Sequence, residues 1–428
     1  MRKQLLKRIY TLFIISLLFS LTENCKAQDR FPRPEFETEY QQPLTTKPAP
    51  RPAGWHVVDA ALLFVVLILS TIFALKKRSR RAVFVLMIFC LAYFGFFRHG
   101  CVCPIGAIQN VSLSLFNPVY SLPWVVILFF ILPLLFTLFF GRTFCASVCP
   151  IGGMQDIVLL KPYRLPREIS QVLSLIPPIY LGLAILFAAT GSAYIICRYD
   201  PVVPLFRLSW NTNQIFLSIS IIAISTIVAR PYCRFLCPYG VILGWLSHIA
   251  KYHVQITPEN CIKCRLCEEA CPVDAIHKPT AEALPESKDK GIKRLALLLA
   301  LIPVLILIVG FTISRLDATL SQMHPKVRLA RQIQLEESGR TLTTSPASEA
   351  FRSSGTTIAA LMDEVTDIKN RYRKGGWILG SFLGLLFGLK MIGLATHKRR
   401  EFFEIDRFNC VSCGRCFQYC PVGRSSTV

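Results

Sequence analysis

Eight cysteines fall into two runs of identical spacing, Cys261-x2-Cys264-x2-Cys267-x3-Cys271-Pro272 and Cys410-x2-Cys413-x2-Cys416-x3-Cys420-Pro421. Three thiolates two residues apart on a tight loop can cover three iron corners of one [4Fe–4S] cube. A fourth, held before a proline, is turned away and reaches a second cube. A structural zinc site competes for such thiols. Zinc, however, takes two separated Cys or His pairs rather than four thiols within the eleven residues of each run. Both runs are therefore expected to ligate iron, giving two [4Fe–4S] clusters. This needs a compartment that keeps thiols reduced.

Both runs match the bacterial ferredoxin pattern. If they pair as one split domain, Cys261, Cys264, Cys267 and Cys420 hold one cluster, and Cys410, Cys413, Cys416 and Cys271 hold the other. If they do not pair, each run holds its own.

A second set of cysteines forms an internal repeat. Cys145-Ala-Ser-Val-Cys149-Pro150-Ile-Gly152 is echoed by Cys233-Arg-Phe-Leu-Cys237-Pro238-Tyr-Gly240, and more loosely by Cys101-Val-Cys103-Pro104-Ile-Gly106. Cys-x3-Cys places two thiols one helical turn apart on one face. Proline stops the turn and glycine permits close backbone approach. Buried packing at helix ends is the plainer role for such thiols. Repetition favours an additional redox or metal role for Cys145, Cys149, Cys233 and Cys237, which together can complete a further site. Cys101, Cys103 and Cys197 are expected on the opposite side, as a redox pair, a metal site or a disulfide. Cys90 stands alone in an apolar run and reads as packing.

The elements that position these residues are apolar helices. The chain is 53% hydrophobic with 17% charged residues, and its mean hydropathy is +0.46. Seven apolar runs, at about 57–75, 82–97, 123–140, 173–190, 213–229, 295–313 and 376–394, approach the ~20 residues that cross a bilayer. The net charge of +22 gathers at the ends of these runs, as in a membrane protein with positive inner loops. No basic, aromatic-interleaved domain suggests a nucleic-acid partner.

The loop Lys76–Arg81 (KKRSRR) marks the cytoplasmic side. Counting alternately, 141–172, 230–294 and 395–428 are also cytoplasmic, so both ferredoxin runs face inward. Residues 1–27 read as a signal peptide, or as an uncleaved first helix, with Cys25 as the alternative lipidation point. Residues 28–54 form a Pro-rich extracytoplasmic linker. A five-helix membrane domain then spans 55–250 and carries the CxCP and both CxxxCP motifs. The first ferredoxin motif occupies 251–294, a transmembrane helix 295–313, an extracytoplasmic segment 314–375, a last helix 376–394 and the second motif 395–428.

The expected fold is thus an α-helical integral membrane protein with about seven transmembrane helices after signal removal. It carries a split cytoplasmic two-cluster ferredoxin-like α+β domain. The expected location is the bacterial inner membrane. Within segment 314–375, Ile358–Lys369 has helical apolar spacing and reads as a packing face. No apolar run has a histidine in its core, so haem is not expected.

RTFCASVCPIGGMQD, RPYCRFLCPYGVILGWLSH and CIKCRLCEEACPVDAI occur here in the order that resembles the NosR/NapH-type membrane polyferredoxins. The likeness covers roughly residues 57–280 and the C-terminal motif, and the secretory start is similar to the NosR branch. It implies electron transfer from a cytoplasmic or quinol donor towards an extracytoplasmic acceptor protein. The NosR-type flavin domain has no room in residues 28–54. Ser354-Gly355-Thr356-Thr357 only faintly echoes a flavin acceptor motif, so FMN at Thr357 is not expected. Two other functions are open: an accessory or maturation factor for an extracytoplasmic metalloenzyme, and a redox sensor.

Overall fold

The computed structural model describes residues 53–421 apart from 101–102, 119, 202, 208–211, 257–260, 281–287, 341–343 and 397–399. The signal, most of the linker and Cys101 lie outside the described residues. Each of the seven apolar runs falls on an apolar helix. Five spans are long and apolar enough to cross a membrane: Gly54–Lys76, Arg80–Phe97, Arg167–Ala189, Asp289–Ser314 and Ile358–Ala395. Trp124–Phe140 and Gln214–Ser225 are shorter.

In chain order the elements that matter are α1 (Ala53–Thr71), α2 (Arg80–Cys90), α3 (Pro104–Phe116), α4 (Trp124–Phe140), α5 (Pro150–Val158), α6 (Ile176–Ala189), α7 (Thr212–Ser225), α8 (Pro238–His248), α9 (Leu266–Ala270), β1 (Ile276–His277), α10 (Lys288–Ser314), α11 (Pro325–Glu337), α12 (Ile358–Ala395), β2 (Glu404–Ile405) and α13 (Arg415–Tyr419). Three of them are half-length helices with one origin. α3, α5 and α8 each begin with proline at the first helical position and cysteine at the N-cap. Proline is suited there because its fixed φ is helical and its missing N–H would have no partner anyway. The three proline motifs thus start helices inside the bundle rather than ending helices at its rim.

The segment expected as a separate extracytoplasmic piece before a short last helix is different. α12 runs unbroken for 38 residues, about 57 Å at 1.5 Å per residue. Its first part packs Leu361 and Val365 against Val327, Ala330 and Ile333 of α11. Thr357 caps the helix, its Oγ1 accepting from Ala360 N at 3.3 Å. The Gly375-Gly376 pair does not break α12, because the helix is held there by its neighbour. A Cβ on Gly376 would meet Ile313 O at 3.0 Å, and one on Gly384 would meet Leu305 O at 2.7 Å. Gly376, Gly380, Gly384 and Gly388 recur every fourth residue along the face that meets α10. Close backbone approach of this kind is how helices associate where burial from water contributes little.

The α10–α12 pair has a consequence for the cysteine motifs. The first motif precedes α10 and the second follows α12, so the antiparallel pair returns both to one end of the bundle. There β1 and β2 pair antiparallel, Ile276 opposite Ile405 and His277 opposite Glu404. Asp406 N donates to Ala275 O at 2.8 Å and Thr280 N to Arg400 O at 3.0 Å. Val254, Val273, Ala275, Phe403 and Val411 are buried around this junction.

Replacing Gly384 by leucine is expected to force α10 and α12 apart. The cost is about 1–3 kcal/mol, seen as a lower melting temperature of the detergent-purified protein. Leucine at Gly393, where a Cβ meets nothing within 4 Å, should leave it unchanged.

Candidate metal centres

The two ferredoxin-type loops share a backbone device. Lys263 (φ 54°), Arg265 (φ 66°), Ser412 (φ 52°) and Gly414 (φ 74°) are left-handed at matching positions of the two runs. Alternation of this kind turns backbone N–H groups into a concavity that favours anions. Short helices follow in each, α9 after Arg265 and α13 after Gly414.

The cysteines sort into two groups across the runs. Cys271, Cys410, Cys413 and Cys416 line one cavity of about 360 Å³. Burial, with Cys413 nearby, pushes the Cys271 thiol up to about 11. Burial alone is the main cause for Cys410, which rises to about 12. Cys416 is also raised by burial and by Cys413, Cys410 and Cys271. Burial raises Cys267 too, and the thiols that face it are Cys261, Cys264 and Cys420. The fourth cysteine of each run therefore stands with the first three of the other. Such thiols hold their protons until a cation replaces them.

A second thiol-lined cavity lies inside the helix bundle. Cys145, Cys149, Cys233 and Cys237 line it together with Cys103 and Arg142, against Phe94, Phe144, Phe206 and Leu243. It is deep in the bundle: Tyr239, two residues after Cys237, donates through Oη to Phe130 O, well inside α4, at 2.8 Å. Cys149 lies within electrostatic reach of Cys233, Cys145 and Cys103. The N-termini of α3, α5 and α8 all open at this cavity, and the positive end of a helix dipole favours negative charge. Gly240 N donates to Cys237 Sγ at 3.3 Å, and Gln155 Nε2 to Cys233 Sγ at 3.4 Å.

Cys103 was expected on the opposite side from the CxxxCP cysteines. The structure instead brings it to their cavity, because α3 starts within the bundle. Cys197 is exposed, and its Sγ would lie 3.4 Å from a Cβ on Gly106. Cys90 is buried in the apolar core.

Four charged residues around this cavity escaped sequence reasoning. Asp156 on α5 accepts from Arg230 through Nε at 3.1 Å and Nη2 at 2.9 Å. It also accepts from Arg80 at 3.3 Å. Arg230 Nη1 donates to Cys145 O at 2.5 Å, and Arg80 Nη1 to Cys413 O at 3.1 Å. Arg142 Nη1 donates to Phe408 O at 2.8 Å. In sequence these arginines pass for the ordinary positive charge of a helix end.

The donor chemistry fits iron–sulfur clusters at all three places. Each offers four soft thiols, enclosed in cavities for the bundle set and for Cys271, Cys410, Cys413 and Cys416, and nearer the surface for the set with Cys264. Among the described residues, no group of three His, Cys, Asp or Glu side chains is placed to hold a single metal ion. The bundle cavity adds a buried arginine nitrogen, Nε of Arg142, without a hydrogen-bond partner among the described residues.

Comparison with known proteins bears on the same residues. A family described as 4Fe-4S binding domain matches residues 122–165 and 211–256, the two CxxxCP segments. A second family of that description matches 254–277, the first ferredoxin motif. The uncharacterized protein MJ0750 of Methanocaldococcus jannaschii is 28% identical over 192 residues, 42% of this chain and 77% of its own length. The putative electron transport protein YccM of Escherichia coli is 30% identical over 81 residues, 19% of this chain and 22% of its own. No solved structure matches the chain. The chain carries 4Fe–4S ferredoxin-type domains in a mostly helical frame with several apolar helices, and it is distantly similar to an electron transport protein.

Proposed function

We propose that the protein is a membrane-bound electron carrier of the NosR/NapH type, passing electrons from a cytoplasmic or quinol donor towards an extracytoplasmic acceptor protein. The observation that carries this is the position of the third thiol group. It lies inside the apolar bundle, one arginine away from the ferredoxin-type lobe. A purely soluble ferredoxin function needs no such group.

Two clusters are assigned to the lobe. Cys261, Cys264, Cys267 and Cys420 hold one, and Cys410, Cys413, Cys416 and Cys271 hold the other. Cys145, Cys149, Cys233 and Cys237 hold a third, with Cys103 beside it. When bound, these clusters supply one-electron redox chemistry, and the chain supplies position, burial and hydrogen bonds. The apolar lining of the bundle cavity excludes water. The three helix N-termini and Gln155 lower the cost of negative charge on its thiolates. The exposed edge of the first loop, with Ile262 65% exposed and Cys264 exposed, suits approach by a donor.

Three outcomes follow. Detergent-purified protein should contain about twelve iron atoms per chain, four per cube, and Cys149→Ser should lower this to about eight. Iron analysis with low-temperature EPR after dithionite reduction checks it, and zinc in place of iron would sink the proposal.

Cys420→Ser should damage the EPR signal that Cys264→Ser identifies, and Cys271→Ser the signal that Cys413→Ser identifies. Loss of one common signal in Cys420→Ser and Cys413→Ser, with the Cys264 signal intact, would mean that each run holds its own cluster.

A reporter fused after Val428 should behave as cytoplasmic, and one inserted near Ser345 as extracytoplasmic, as the KKRSRR loop requires. The reverse result would place the lobe outside and remove the proposed donor side.

A further inference from the structure

Arg142 touches two sites at once. It follows Gly141, whose φ of 69° ends α4 and turns the chain back into the bundle. Its side chain lines the bundle cavity with Cys145, Cys149, Cys233 and Cys237. It lies within electrostatic reach of Cys145, Cys237 and Cys233. In the other direction its Nη1 holds Phe408 O at 2.8 Å, two residues ahead of Cys410. Nη2 comes within 3.3 Å of where a Cβ on Gly240 would stand, so the guanidinium packs closely on the start of α8.

The charge of Arg142 is the unusual part. The residue is 5% exposed, and arginine cannot shed its proton to escape burial. Arg230 and Arg80 share Asp156 as counter-ion. Among the described residues no acidic side chain forms an ion pair with Arg142. An uncompensated buried charge is strongly destabilising, so the balancing negative charge has to come from the cavity. A group ligated by four thiolates provides it.

We propose that Arg142 is a positioning residue shared by the two sites: the buried counter-charge of the bundle-cavity cluster and the clamp that seats the Cys410 loop against it. The proposal rests on the cavity holding a cluster. Arg142 then does two separable things. Its charge raises the reduction potential in the cavity, because a nearby cation favours the more negative, reduced form. Its planar fork fixes the backbone at Phe408, and a lysine does not reproduce that geometry.

The test is an EPR-monitored redox titration of the full-length, detergent-purified chain. Cys149→Ser identifies the cavity signal and Cys413→Ser the C-terminal one, with iron per chain measured alongside. Arg142→Gln is expected to shift the cavity signal to lower potential. Arg142→Lys should hold that potential near the unmodified value while still altering the line shape of the C-terminal signal. Arg373 pairs with Asp317 and lines neither cavity, so Arg373→Gln should leave the cavity potential in place. If Arg142→Gln does not accumulate, the lysine variant decides: a cavity potential that falls although the charge is kept overturns the proposal. A Cys149-dependent signal that Arg142→Gln leaves unmoved overturns it alone. Absence of any Cys149-dependent signal in the unmodified protein overturns the cluster assignment and the proposal with it.

Discussion

Charge buried in an apolar bundle, on Arg142, Arg230 and Asp156 and on any thiolates of the cavity, is the constraint on which the arrangement depends. Four thiolates cannot be held away from water unless positive charge or dipoles are aimed at them. The chain meets this with backbone first: α3, α5 and α8 all start at the same cavity, so three helix N-termini point inward. Arginines come second. Arg230 is tied to Asp156 and to Cys145 O, and Arg142 lines the cavity without a carboxylate partner among the described residues. The cysteine-proline pairs are what make this geometry available. Proline fixes where each half-helix begins, and the cysteine before it occupies the cap that faces the cavity.

The same network joins the cavity to the ferredoxin-type lobe. Arg80 reaches from Asp156 to Cys413 O, Arg142 reaches Phe408 O, and Ser247 at the end of α8 donates to Arg407 O at 2.9 Å. All three contacts land on the C-terminal half of the lobe, whose four thiols are the more enclosed group. The first half, which carries α9 and β1, is held instead by Arg164, whose Nη2 donates to Glu268 O at 2.5 Å and whose Nε pairs with Asp274 at 3.2 Å. α10 and α12 hold the halves together from a distance. Their glycine-lined contact returns both cysteine runs to one end, and the two-residue strands then fix their register. The lobe is therefore split in sequence but continuous in space.

Much of this was legible in the residues. The cysteine spacings named the eight ligand candidates, and each apolar run fell on an apolar helix among the described residues, although α10 and α12 begin well before the runs that marked them. The repeated CxxxCP motif pointed to Cys145, Cys149, Cys233 and Cys237 as one set. Cys103 was misplaced for a physical reason: counting crossings assumes that each connection stays at the surface, whereas Pro104 starts a helix inside. The last apolar run starts only at 376, because the polar residues before it do not look membrane-spanning, whereas α12 begins at Ile358 and packs Leu361 and Val365 on α11. Of the four left-handed loop positions only Gly414 is marked by its residue type. Arg142 and Arg230 were hidden because basic residues at helix ends are what the membrane boundary alone would demand.

The central claim is that the bundle cavity is a third iron–sulfur site. Anomalous diffraction at the iron edge from anaerobically purified, detergent-solubilised crystals tests it most directly. The account predicts three iron peaks per chain, two in the lobe and one among Cys145, Cys149, Cys233 and Cys237. Two peaks, both in the lobe, with those four thiols free of iron, would contradict it.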